Sequence, residues 1–418
     1  MKSKIVVTGI GLITPYGQGI DPMIKAISDS RVAYSEINEF DCSTWPVKVG
    51  GIIPETSIEK LDKSHNKLRG MGKYVKLGVL CARKALSDAS IDVGAFPSER
   101  IGAFIASGTN GHNAEGLFGA FDFSRGIGEM LDLEKLSQEG IDHVHPWWLL
   151  GTISNNLIFF VTHFLGIKGA NTNSCNSAVS GAYALDRAIE SLNSGEIDIA
   201  LVGGADCPVN WQMISDLSGL GLLAHCDSKN AIPMRPFLPD SPGTVLSEGA
   251  AFLVLELASH ASSRGKKGLV EISHVSMFGS FKDPIRPDPT GEETFRVMKN
   301  ILSEIPGNEK VQLNASATAL ESWDSAEWKG IEAASKEIPM FVGSAKPWIG
   351  NTFSISFLVE TVASIIAMKN SFGLNFPFPL TRDSNLSMSP KGALEHSWAI
   401  NLGQCFGGNT AGVLLHDI

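Results

Sequence analysis

Long hydrophobic runs are missing from these 418 residues. The longest apolar stretch, residues 157–165, is interrupted by Thr162 and His163 and falls well short of the roughly 20 residues that span a bilayer. No membrane span is therefore expected. Cysteine is sparse too: Cys42, Cys81, Cys175, Cys207, Cys226 and Cys405 are scattered, with no CxxC pair. That argues against a disulfide scaffold and fits a reducing, cytoplasmic compartment. Dense basic runs are absent. Lys+Arg number 34 against 44 Asp+Glu, a formal charge of −10, so the footprint of a nucleic-acid binder is lacking. Metal-ligand clusters, a nucleotide-binding glycine loop and a haem motif are likewise missing, and no metal ion or resident cofactor is expected. Charged residues reach only 19% while hydrophobic ones reach 43%, which excludes extensive disorder and calls for a large buried core.

Glycine, by contrast, is plentiful: 43 in 418 residues, about one in ten, where about 7% is usual. Short apolar runs alternate with amphipathic stretches almost from end to end. Residues 4–9 read as a β-branched strand closed by Gly9 and Gly11, and not as a signal peptide. A helix is expected over 74–88, a strand over 101–106, a helix from the Cys175 region to Ser194 stopped by Gly195, and buried strands over 197–203 and 251–257. Near residues 259–267 the chain turns small, polar and basic, which divides it into an N-terminal half, 1–258, and a C-terminal half, 259–418. The pattern then restarts, with strands at 269–278 and 311–314, helices at 293–302 and 356–370, and a closing strand pair at 398–402 and 412–415. Strands alternating with helices imply βαβ units, and two such halves suggest a duplicated five-layer architecture. Residues 108–147, poor in periodicity, read as an inserted cap or dimer-contact segment.

The most informative stretch is Asn171-Thr172-Asn173-Ser174-Cys175-Asn176-Ser177-Ala178. A cysteine taken alone is more often a small buried hydrophobe than a nucleophile. This one sits among small polar residues where a loop becomes a helix. Unpaired helix N–H groups there favour thiolate over thiol and hold a developing oxyanion. Spacing alone leaves the two readings open.

Further blocks resolve the balance. Cys175 with Val202-Gly203-Gly204-Ala205-Asp206 resembles the nucleophile region of the β-ketoacyl-acyl carrier protein synthases, or ketosynthases, of the thiolase superfamily. Val6-Val7-Thr8-Gly9-Ile10-Gly11 resembles the family's opening, Met234-Arg235-Pro236-Phe237 with Leu246-Ser247-Glu248-Gly249-Ala250 its central block, and Phe406-Gly407-Gly408-Asn409 its last glycine motif. The resemblance covers nearly the whole chain. It implies a thiolase-like duplicated five-layer αβαβα fold, α/β in class, with mixed, mostly parallel sheets. It also implies an acyl carrier protein as partner, its phosphopantetheine arm serving only as substrate carrier. The acyl group would move to Cys175, with the backbone N–H groups of Cys175 and Phe406 as oxyanion hole and Phe406 as a gate.

Two positions depart from the family. Its first histidine falls at Ser316 in Asn314-Ala315-Ser316-Ala317-Thr318, ahead of Asp324 and Glu327; its second falls at Asn351, after the retained Lys346. Asn351 and Ser316 keep hydrogen-bond donors, but neither exchanges a proton near neutral pH. Loss of one oxyanion donor typically costs about 10²–10³ in rate. Malonyl decarboxylation, and with it chain elongation, is expected to be severely impaired. Lys346 and Glu248 are read as residues that order the site, and Trp348 as a side chain that narrows the carrier-arm tunnel. His112, His163 and His225 are read as surface or core residues and not as replacements. The favoured reading is a chain-length-factor-like companion of a complete ketosynthase in fatty-acid, polyketide or aryl-polyene biosynthesis, as a heterodimer or a homodimer, which shapes the acyl tunnel. The alternatives are an acyltransferase that passes an acyl group from Cys175 to a hydroxyl, amine or thiol, and a slow stand-alone 3-oxoacyl synthase.

Overall fold

A computed structural model describes residues 4–54, 71–108, 115–126, 130–146, 148–149, 153–226, 232–307, 309–335, 338–380 and 386–418. In the N-terminal half the elements that matter for the site are β1 (Ile5–Thr14), α1 (Lys73–Asp88), β2 (Ile101–Ala106), α2 (Asn156–Leu165), β3 (Asn171–Ser174), α3 (Ser180–Asn193), β4 (Ile199–Asp206) and β5 (Gly249–Leu257). In the C-terminal half they are β6 (Val270–Gly279), α4 (Glu292–Leu302), β7 (Val311–Asn314), α5 (Glu321–Ala334), β8 (Met340–Gly343), α6 (Ser356–Lys369), β9 (Ser387–Met388), β10 (Trp398–Cys405) and β11 (Asn409–Asp417).

The strands form one mixed sheet in the order β9-β8-β7-β10-β11-β6-β1-β5-β4-β2-β3. Outer neighbours in each half are parallel: β3, β2 and β4 on one side, β9, β8, β7 and β10 on the other. Inner neighbours, β4-β5-β1 and β10-β11-β6, are antiparallel. The halves meet where β1 pairs with β6 over three residue pairs, Ile5 with Ile272, Val6 with Glu271 and Val7 with Val270. Beside that seam the buried Glu256 accepts from Arg264 Nη2 at 2.6 Å and pairs with His260 Nδ1 at 2.7 Å, so the chain between the halves is pinned where it leaves β5.

The order of elements repeats. Strand, helix, strand, helix, strand, helix and two strands occur once from β1 to β5 and again, with β9 added, from β6 to β11. Helices α3 and α6 lie between the two sheet halves, where their buried residues share one core with those of β1, β5, β6 and β11. α1 and α2 cover the far side of the first half, and α4 with the Trp328 face of α5 cover the far side of the second. The five layers αβαβα result. α6 is buried on every face from Ser356 to Met368, as a helix in a middle layer must be.

Gly9 and Gly11 do not close the first strand, which continues to Thr14. Their role is close approach. A Cβ on Gly11 would lie 2.1 Å from the Cys81 carbonyl oxygen and one on Gly9 2.4 Å from that of Ala85, so bare glycine lets α1 settle on β1. The helix expected from Cys175 begins later, at Ser180, after a strand and a 3₁₀ turn at Ser177–Val179. In the inserted segment, helices Glu115–Phe123 and Leu133–Gln138 leave Met130 74% and Leu133 70% exposed. Among the described residues no helix is long and apolar enough to cross a membrane.

Candidate active site

The sheet halves bring two strand-to-helix connections together beside a cavity of about 470 Å³, part of it open to solvent. One runs from β3 to α3 and carries Cys175. The other runs from β8 to α6 and carries Lys346 and Asn351. Lys346, Asn351 and Phe406 line the cavity with Ser177 and Ala178 of the first connection, and Leu217, Leu246, Leu320, Trp323 and Phe353 make much of its wall apolar. Cys175 and Ser316 are not among the lining residues. No histidine of the described residues lines it either. His163 is exposed and stacks on Phe159, and His112 lies outside the described residues.

Cys175 is an exposed free cysteine just past the end of β3. The helix beyond it starts only at Ser180, whose hydroxyl oxygen takes the Asn176 N–H at 2.7 Å. Burial of part of the thiol, and then the nearby Asp206 carboxylate, push the Cys175 thiol above its ordinary value. The sign is opposite to the thiolate stabilisation expected from a helix N-terminus. Asp206, at the end of β4, is itself pushed up to about 6 by burial while it accepts from Ser354 N and Oγ.

Ser316 is 1% exposed, and its Oγ accepts the Gln404 N–H at 3.1 Å. It therefore sits behind the cavity wall that Gln404 and Cys405 form, and not in the cavity as an oxyanion donor would. The surrounding block is a scaffold. Glu327 receives Ser316 N–H at 2.6 Å and Ala317 N–H at 2.8 Å, while Asp324 receives the Thr318 hydroxyl and the Phe237 N–H. Burial pushes Glu327 up to about 8 and Asp324 up to about 6. These acids hold a turn in which Ala317 and Ala319 adopt φ of 47° and 66°. The Met234–Phe237 block is tied to the site through that Phe237 N–H.

Lys346 is 2% exposed and pairs with the equally buried Glu360; it also donates to Ser356 Oγ at 3.1 Å. Asn351 Oδ1 accepts from Phe353 N at 3.1 Å and Ser356 Oγ at 3.0 Å, and its Nδ2 reaches Thr244 Oγ1 at 3.4 Å. The Phe406 ring meets Trp323 edge-on at 5.7 Å and Phe353 at 6.4 Å, and Gly407 and Gly408 behind it have φ of 74° and 64°. Trp348 does not narrow this space: it is 1% exposed, and its indole N–H donates to Asn375 O at 2.6 Å. Trp323 takes that place. Glu248 stands apart from the cavity, bound to Lys73 at 2.8 Å and to Ile53 N–H, and burial pushes it up to about 7. Ser356, Glu360 and Gln404 are not singled out by the sequence, and Trp323, in a block expected to flank the site, reads from sequence mostly as a packing residue. One signal pointed to the first: Ser356 follows Asn351 at the same spacing as Ser180 follows Cys175.

A five-layer duplicated fold with a cysteine connection and a lysine connection meeting at one cavity defines a thiolase-like ketosynthase scaffold. The family models for the β-ketoacyl synthase N-terminal and C-terminal domains match residues 2–261 and 269–374. The chain belongs to the β-ketoacyl synthase family. It is 25% identical over 419 residues to a 3-oxoacyl-[acyl-carrier-protein] synthase 2 of Staphylococcus aureus (strain COL), covering 98% of this chain and 97% of the relative. Similarity of 25% over 379 residues links it to the synthase of the same name from Vibrio cholerae, covering 88% and 86%. Among solved structures, the ishigamide ketosynthase/chain length factor superposes with a TM-score of 0.84 at 21% identity. A type II polyketide acyl carrier protein in complex with its ketosynthase bound to a hexaketide gives 0.83 at 20%. Both comparisons cover the full length of each chain.

Proposed function

We propose that this chain is the non-elongating, chain-length-factor-like companion of a complete ketosynthase in fatty-acid or polyketide biosynthesis. One observation carries the reading: the cavity presents Lys346, Asn351 and apolar side chains, with no histidine lining it among the described residues. Loss of CO₂ from a malonyl thioester generates an enolate, which needs strong donors or imidazole beside it. An amide and a buried, carboxylate-paired ammonium supply donors without a proton shuttle. The apolar wall of Leu217, Leu222, Leu246, Leu320, Trp323 and Phe353 suits an acyl chain. Its delivery would fall to the phosphopantetheine arm of an acyl carrier protein.

Two features support a homologous subunit as partner. The sheet ends in β3, a four-residue strand with no further strand beside it among the described residues. Phe118, Met130, Leu133, Ile141 and Phe159 are exposed apolar side chains of the kind that a partner surface covers.

The exposure of Cys175 favours a second reading, an acyltransferase. In that reaction the Cys175 thiolate attacks the carrier thioester, and the carrier thiolate leaves and takes up a proton. A hydroxyl, amine or thiol acceptor then attacks the acyl-cysteine, the C–S bond breaks, and the proton the acceptor gives up passes to solvent or to the released Cys175 thiolate. Intact mass after incubation with acyl carrier protein thioesters measures loading, and malonyl carrier protein measures two-carbon extension. The companion reading expects no extension by this chain alone and extension once a complete ketosynthase is coexpressed. Robust extension by the chain alone would defeat it and leave a stand-alone 3-oxoacyl synthase.

A further inference from the structure

Donor and acceptor counting at Asn351 leads to a residue outside the family positions. A lysine ammonium only donates, so Ser356 Oγ accepts from Lys346 Nζ at 3.1 Å. The single hydroxyl hydrogen of Ser356 has as acceptors the Glu360 carboxylate, already paired with Lys346, and Asn351 Oδ1, 3.0 Å away. Thr352 Oγ1 makes a longer contact of 3.4 Å to the Ser356 oxygen, and we assign the hydrogen to Asn351 Oδ1. The backbone N–H of Phe353 also only donates, and it too points at Oδ1, at 3.1 Å. Two donors therefore fix which end of the amide is oxygen, an assignment that hydrogen-bond logic makes where atoms alone do not. Asn351 Nδ2 is left as the end that borders the cavity. One of its hydrogens makes a long contact to Thr244 Oγ1, itself a lining residue, and the other meets no acceptor among the described residues.

The chain of bonds also has a direction. Lys346 pulls on the Ser356 oxygen, which makes the hydroxyl a better donor, and a better donor at Oδ1 makes Nδ2–H more acidic. We propose that Ser356 is a positioning residue which relays the Lys346 charge to the Asn351 amide and holds Nδ2 as a donor to the carbonyl oxygen of an acyl thioester in the cavity. This rests on the reading of the cavity as an acyl site, but not on whether the chain elongates. It gives the buried ion pair a task that reaches beyond packing.

The test uses the full chain as Cys175→Ala, so that the thioester stays intact, with hexanoyl-pantetheine carrying ¹³C at the carbonyl. Isotope-edited infrared spectra report the hydrogen bond, and calorimetry reports Kd. The bound carbonyl band is expected below that of the free probe. Ser356→Ala should return it part of the way and weaken binding by about three- to tenfold; Ser356→Cys, close in volume and weaker as a donor, should do the same if the alanine variant does not fold. Asn351→Leu should abolish the shift. The proposal is overturned if either folded Ser356 variant keeps the band and Kd of its parent, or if the probe shows no shift or no binding. Two-carbon extension by the wild-type chain would sink the companion reading and leave the carbonyl band where it is, so the two failures are distinct.

Discussion

The β3–α3 and β8–α6 connections are built on one frame and filled with opposite chemistry. Each ends in a 3₁₀ turn, Ser177–Val179 or Phe353–Ile355, and the first residue of each turn is left-handed, with φ of 49° and 50°. Each leads into a helix that opens with a serine, Ser180 or Ser356. Cys175 and Asn351 stand at matching distances before those serines. In the first connection the serine meets only backbone, accepting from Asn176 N–H and standing within donating distance of Ser177 O at 2.7 Å and Ser107 O at 3.3 Å. In the second it joins a buried cation to an amide. One connection displays a thiol near the surface; the other hides a charge. Duplication has preserved the backbone device, while the side chains have divided the work.

The ion pair should give the largest measurable contrast. Removing the cation with Lys346→Met leaves Glu360 buried without its partner, which costs about 3–5 kcal/mol. The residue in register with Glu360 in the first connection is Ala184, and no ion pair lies there. Cys175→Ser, at an exposed position, should therefore stay within about 0.5 kcal/mol of wild type. The Lys346→Met deficit also has a pH sign. Burial already raises Glu360, and loss of the lysine raises it further. The cost of ionising it in the core is complete above its folded-state pKa and disappears as pH falls through that value, because the folded state then takes up a proton. Denaturant unfolding should show a larger deficit at pH 8 than at pH 5. An equal deficit at both would mean that lost packing, and not charge, sets the effect.

A second contrast concerns proton transfer. Asn351 borders the cavity, so Asn351→His has space for an imidazole and should raise malonyl-thioester decarboxylation by about 10²-fold, the lower end of general acid–base contributions. Carbon dioxide release from malonyl carrier protein measures it. Ser316→His, by contrast, places a large ring at a 1% exposed site behind Gln404 and should lose stability by about 1–3 kcal/mol. No gain from Asn351→His would show that the missing imidazole is not what holds the reaction back.

Much of this was legible from patterning, for a physical reason. A strand buried on both faces, such as 101–106, writes itself as a continuous apolar run, while the equally buried Val311-Gln312-Leu313-Asn314 alternates apolar and amide side chains; the expected bounds of both agree with β2 and β7. β3 escaped because Asn171-Thr172-Asn173-Ser174 is polar and short, a strand held by its pairing with β2 and not by propensity. The glycines of β1 misled, since a glycine that admits a helix looks in one dimension like one that ends a strand. The motif blocks located Cys175, Lys346, Asn351 and Phe406. They did not reveal that Ser316 faces a backbone amide or that Trp323, and not Trp348, sits against Phe406, because side-chain direction depends on contacts with distant segments.

A smaller effect tests the thiol end. Above pH 6 the Asp206 carboxylate is charged and disfavours the Cys175 thiolate. Asp206→Asn removes that charge, so alkylation of Cys175 by iodoacetamide at pH 8 should quicken a few-fold, below the roughly tenfold of one full pKa unit. Peptide-level mass time courses resolve this, since Cys42, Cys81 and Cys405 are buried but Cys207 and Cys226 are only partly so and must be read separately. An unchanged rate would remove Asp206 from the electrostatics of the Cys175 thiol.

The smallest effect isolates the shared backbone device itself. A side chain in the left-handed region costs about 1–2 kcal/mol, and glycine relieves this while adding about 0.4–1 kcal/mol of unfolded-state entropy. Ser177→Gly should thus stabilise by about 0.5 kcal/mol, seen as a slight rise in Tm. Phe353→Gly relieves the same strain but gives up a half-buried ring that packs beside Phe406, so it should be net destabilising. Opposite signs at two residues with nearly equal φ would show that the frame is strained in both connections and that only the second is held in place by what its side chain touches. Two losses of similar size would mean instead that both turns owe their shape to side-chain contacts, and the backbone would then be a consequence of the packing around it.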